Sequence, residues 1–100
     1  MKEFIMKIED CFVLPEKGVV LSGANVQLDD LSTEIIKEMI GEVIIVENNR
    51  GKLTTFKVES VDISSSLIGK KNICICLGQK VKIMDIEIGY CIWSIIEKLC

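Results

Sequence analysis

Apolar residues recur along most of this chain at every second position, the period of a half-buried strand, and in one stretch at every third or fourth, the period of a helix. Residues 3–12 alternate, with Phe4, Met6 and Ile8 on one side and Lys7 and Glu9 on the other. Pro15-Glu16-Lys17-Gly18 reads as a turn, because proline presets φ and glycine accepts positive φ. Val19-Val20-Leu21 continues from it as a second strand ending at Gly23. Between residues 31 and 40 the period changes: Leu31, Ile35 and Met39 make a helical stripe with Ile36 and Ile40 beside it. Asp29, Asp30 and Ser32 offer capping oxygens, and Gly41 offers a stop. The β-branched run within 42–47 and the stretch 53–61 form a hairpin around the turn Asn48-Asn49-Arg50-Gly51. Ser64-Ser65-Ser66 reads as a loop. Residues 73–77, 81–88 and 90–96 are further strands, punctuated by Gly69, Gly78 and Gly89.

This pattern predicts an all-β fold of about seven strands with regular turn signals, hence a small closed or partly open β-barrel, or a sandwich. One short helical insertion lies near residues 31–40. The chain has 100 residues, an apolar share of 49% and a charged share of 27%, which suits one globular domain over 1–100. No apolar window is long enough for a membrane span, and the charged N-terminus does not read as a signal peptide.

Charge narrows the partners. Net charge is −3, with a single arginine, Arg50. Phosphate contact depends on Lys and Arg, so DNA is not expected and RNA or tRNA contact is disfavoured. The five cysteines, Cys11, Cys74, Cys76, Cys91 and Cys100, are an odd set, with three inside apolar runs. They read as reduced core thiols of a cytoplasmic protein rather than a disulfide framework.

Several motifs, in order, resemble the second-domain β-barrel of translational GTPases such as elongation factor Tu. The first is Ile8-Glu9-Asp10-Cys11-Phe12, followed by Gly18 and Val19-Val20-Leu21-Ser22-Gly23. Ile40-Gly41-Glu42-Val43 and Val58-Glu59-Ser60-Val61 match the next two strand starts. Residues 69–78 and Ile86-Glu87-Ile88-Gly89-Tyr90-Cys91-Ile92 cover the last two. The likeness spans residues 5 to about 93 and implies a barrel. It also implies that Glu9, Asp10 and Phe12 stand where the family helps to hold the aminoacyl end of tRNA. The chain departs from the family in having no Gly-x-x-x-x-Gly-Lys-Ser/Thr loop and in lacking the family's arginine over residues 61–66. The helical insertion also occupies what is usually a shorter connection.

Glu9, Asp10 and Phe12 are therefore the candidate binding residues, with Phe12 as a stacking face for a base. The plainer reading gives the strand a core phenylalanine and solvated acids. Cys74 and Cys76 share one strand face, but without histidine they suggest neither a zinc site nor an activated thiol. No metal or other cofactor is expected. Trp93 reads as a core plug or an interface anchor. The acids Glu9, Asp10, Glu16, Asp29, Asp30, Glu34 and Glu38 crowd the first forty positions, as a solvated face or a recognition surface for a basic partner. The expectation is a non-enzymatic binding module that contacts a protein of the translation apparatus or a related factor. The alternative is a small immunity or antitoxin-type inhibitor that neutralises a toxin by direct binding.

Overall fold

The run expected as one strand over residues 3–12 is two strands that belong to different sheets. The computed structural model describes residues 2–95. Its strands in chain order are β1 (Lys2–Lys7), β2 (Asp10–Leu14), β3 (Gly18–Gly23), β4 (Val43–Glu47), β5 (Leu53–Lys57), β6 (Ser60–Ser65), β7 (Lys71–Gly78) and β8 (Cys91–Ile95). One helix, α1 (Thr33–Ile40), lies between β3 and β4, and short 3-10 turns occupy Val26–Leu28 and Ile83–Asp85. The strands form two antiparallel four-stranded sheets, ordered β1-β8-β4-β5 and β2-β3-β7-β6. The ladders are thus two sheets rather than one continuous barrel ladder.

Two corners join the sheets. The Ile8 N–H donates to the Tyr90 carbonyl beside β8, and the next residue, Glu9, donates to the Ser22 carbonyl of β3, both at 2.8 Å. The 53–61 stretch turns the same way: the Val58 N–H reaches Glu42 beside β4 and the Glu59 N–H reaches Cys76 of β7, again at 2.8 Å. At each corner neighbouring amides find partners in different sheets, so a strand that is continuous in sequence is divided in space.

Other expectations are corrected for similar reasons. A register shift between Phe4 and Met6 places both Ile5 and Met6 in the core, so Phe4 faces outward instead of sharing a side with Met6. Residues 81–88 do not form a strand: Ile86 is buried, Met84 and Ile88 are exposed, and the only regular piece is the 3-10 turn. Ser64 and Ser65 belong to β6, paired with Asn72 and Lys71. The helix begins at Thr33, so Leu31 precedes it and is only partly covered; on α1 the buried stripe is Ile36 and Ile40, whereas Ile35 is exposed and Met39 partly covered. The caps act as expected: Ser32 Oγ accepts from the Ile35 N–H, and Gly41 ends the helix at φ +69°. Ile96 and Cys100, included in the sequence expectations, lie outside the described residues.

The core is aliphatic and drawn from both sheets. Ile5, Ile8, Leu21, Ile44, Ile73, Ile75 and Ile92 are buried, and Ile36 and Ile40 of α1 join them. Each such side chain contributes about 1.5–3 kcal/mol by leaving water. Ser94 is the buried polar exception, fully enclosed with no hydrogen-bond partner for its Oγ among the described residues. An unpaired buried hydroxyl costs about 1–3 kcal/mol. Ser94→Ala is therefore expected to raise the unfolding free energy by about 1 kcal/mol, read as a higher urea midpoint at unchanged slope.

Candidate functional site

Asp10 and Phe12 end up together, and Glu9 apart from them. Along β2 the side chains of Asp10 and Phe12 lie on the outer face of the second sheet. Register places Asp10 in a row with Ser22, Cys74 and Asp62, and Phe12 in the next row with Val20, Cys76 and Ser60. Phe12 is half-buried and lines a hollow of about 150 Å³ with Leu14, Lys17, Val20, Asp62 and Cys74. Asp10 is exposed, and its Oδ1 accepts from the Cys11 N–H at 2.9 Å. Glu9 sits at the corner, where its Oε2 accepts from the Ala24 N–H at 3.1 Å. It lines a separate hollow of about 610 Å³ with Phe4, Lys7, Val26 and Gln27.

The outer face of the second sheet offers little reactive chemistry. Cys76 Sγ donates to the Lys17 carbonyl at 3.1 Å, and Cys74 Sγ lies 3.8 Å from Ser22 Oγ. On the inner face, burial and the neighbouring Asp10 push the Cys11 thiol pKa up, which favours its protonated form. The four described cysteines are unpaired. The Lys17–Asp62 ion pair, at 3.7 Å, is exposed on both sides and contributes little. A larger hollow of about 670 Å³ beside it mixes Lys17, Lys57 and Lys80 with Glu16 and Glu59, so it presents no single sign of charge to a ligand.

The first sheet carries a different surface. Its central outer row runs Phe4, Trp93, Ile45, Thr55 across β1, β8, β4 and β5. Phe4 meets Trp93 edge to face, with centroids 5.3 Å apart. Trp93 Nε1 donates to Glu47 Oε1 at 2.9 Å, and the Lys2 ammonium lies 4.5 Å from the ring centroid. The indole is thus fixed in place while its surroundings remain apolar: Phe4 is 37% exposed, Ile95 43% and Leu53 48%, with Val43, Ile45 and Cys91 half-buried between them. Charges of both signs stand around this face: Lys2 pairs with Glu47 at 4.0 Å, Lys7 shares a hollow with Glu9, and Lys57 shares one with Glu59.

Only part of this surface was legible in the chain. The runs Val43-Ile44-Ile45-Val46 and Cys91-Ile92-Trp93 are apolar on both strand faces, the signature of a strand covered on two sides. Among the described residues only one side is covered here. That surplus is the sequence signal for the face, and Phe4 was hidden from it by the bulge.

Comparison with family models, with curated proteins and with solved structures found no match to this chain. Among the described residues no helix is long and apolar enough to cross a membrane.

Proposed function

We propose that this chain is a non-enzymatic module that binds another protein through the outer face of its first sheet. The observation that carries the reading is the uncovered apolar surface around Trp93. Large exposed apolar patches mark interaction sites, and an immobilised tryptophan ringed by aliphatic side chains has the character of an interface hot spot. Lys2 already occupies one approach to the indole ring, which favours aliphatic packing by a protein over stacking by a nucleic-acid base.

The finer architectural reading is a barrel of the translation-factor second-domain type. Its support is the path of the pairs: β8 to β1, through the Ile8–Glu9 corner to β2, then β3, β7 and β6, through the Val58–Glu59 corner to β5, then β4 and back to β8. With each corner strand counted once, the circuit returns on itself. On this reading the partner belongs to the translation apparatus or to a related factor in the cytoplasm.

The test is affinity capture from lysate with three forms of the protein. A stoichiometric protein recovered by the wild type is expected to be lost with Ile45→Glu and retained with Glu9→Ala/Asp10→Ala. Circular dichroism checks that each variant is folded. The reverse dependence would discard the Trp93 face and support an inhibitor that uses its acids against a basic toxin. Recovery of salt-sensitive RNA alone would discard both.

A further inference from the structure

The first sheet ends in a strand whose edge is open. The β4–β5 ladder is bracketed by the Val58 N–H bond to the Glu42 carbonyl at 2.8 Å and the Asn48 N–H bond to the Lys52 carbonyl at 3.0 Å. Between these, Ile44 pairs with Phe56 and Val46 with Thr54. Hydrogen-bonded pairs alternate along an antiparallel ladder, so Thr54 and Phe56 turn their amides toward β4 while Leu53, Thr55 and Lys57 turn theirs away. Among the described residues no backbone bond from another element reaches those three, and β5 is terminal in its sheet.

The edges of β1 and β6 differ. On β1 the Ile5 carbonyl accepts from Asn25 Nδ2 at 2.7 Å, and Gly23 packs against the Lys7 carbonyl. On β6 a charge, Asp62, stands in the middle of the outer face, a common device against unwanted pairing. The middle of β5, Leu53-Thr54-Thr55-Phe56, is uncharged and suited to a strand.

We propose that the open edge of β5 takes up an extended, acid-flanked segment of a protein partner, which joins the first sheet as a fifth strand. This rests on the protein-binding reading above and names the partner's chemistry. Main-chain bonds to Leu53, Thr55 and Lys57 supply attachment. Alternate side chains of the added strand extend the row Trp93–Ile45–Thr55 and set the choice of partner. Charge selects the occupant. Arg50 and Lys52 stand at the turn end of the edge, where Glu47 across the ladder is already engaged by Trp93 and Lys2, so an acidic end on the incoming strand is complementary there; at the other end Lys57 shares its hollow with Glu59. A second copy paired antiparallel about Thr55 would set each Lys57 opposite Leu53 and beside Lys52 of the other chain, a like-charge cluster at both ends of the seam that disfavours it.

The probe is a short synthetic peptide, valine alternating with threonine and glutamate at each end, compared with the same peptide ending in lysine. In the free protein, amide hydrogen exchange is expected to be fast at Leu53, Thr55 and Lys57 and slow at Thr54 and Phe56. At millimolar acidic peptide the three outward amides slow at least tenfold, and the lysine peptide leaves them unchanged. Thr55→Pro keeps the fold, because that N–H is not used by β4, and abolishes the protection. Unchanged exchange, equal protection by both peptides, or protection confined to another strand overturns the proposal. So does a dimer that Thr55→Pro dissolves. If Ile45→Glu abolishes lysate capture and Thr55→Pro does not, the edge proposal falls and the binding-module reading stands; if neither variant affects capture, both fall.

Discussion

Gly18→Ala lowers the unfolding free energy by about 3–5 kcal/mol, a large part of the roughly 5–15 kcal/mol of an ordinary domain. Two independent costs combine at this position. Gly18 has φ +79°, a region where a Cβ costs about 1–2 kcal/mol. It also packs directly on the backbone of Gly78, and a Cβ built there would overlap the Gly78 carbonyl. Both Gly18 and Val19 stand opposite Gly78 in the β3–β7 ladder, so the irregular register requires this close approach. The obstacle is main chain rather than a flexible side chain, and the strand cannot yield without breaking its pairs. Gly69→Ala is the control. Gly69 has φ +84° but open space around its missing Cβ, so only the conformational cost of about 1 kcal/mol applies. Urea unfolding followed by circular dichroism separates the two. Similar losses for both variants would remove the packing argument.

Ile75→Ala is expected to cost about 3–4 kcal/mol. Ile75 has no exposure, and register places it between Leu21 of β3 and Val61 of β6 on the inner face. Its neighbours belong to paired strands, whose ladders resist moving inward to fill a void, so the cavity cost adds to the transfer cost. Ile75→Val removes one methylene and is expected to cost about 1 kcal/mol. The ratio between the two variants, read from urea midpoints at constant slope, measures how rigid this sheet is. An alanine variant as mild as the valine variant would mean that the core collapses around the gap.

How far the chain disclosed its own structure depends on the range of the interactions involved. The hairpin turns were legible because they are local: Asn48 Oδ1 accepts from the Arg50 and Lys52 amides within the same turn. The helix and its Ser32 cap were legible for the same reason. Residues 81–88 were misread because their apolar residues fit a strand, while among the described residues none of their backbone pairs with a sheet; Ile86 is buried in the core and Val81 packs half-buried against it. The candidate site was half legible. Asp10 and Phe12 share a face by simple alternation, but Glu9 lies at a corner that alternation cannot foresee, and its partner is Ala24. Trp93 offered two readings, core plug or interface anchor, and burial alone did not separate them until its sheet neighbours were known.

By itself the sequence determined the strand-rich class, the turns, the single helix and most inward-facing positions. These follow from backbone preference and from a two-residue period that any half-buried strand must obey. Only the tertiary structure decided where one strand becomes two, which side of Phe4 meets water, and that the second apolar face of β4 and β8 has no cover among the described residues. Periodicity records which side chains prefer to leave water. Whether another part of the chain arrives to receive them depends on contacts between distant residues, and around Trp93 none among the described residues does.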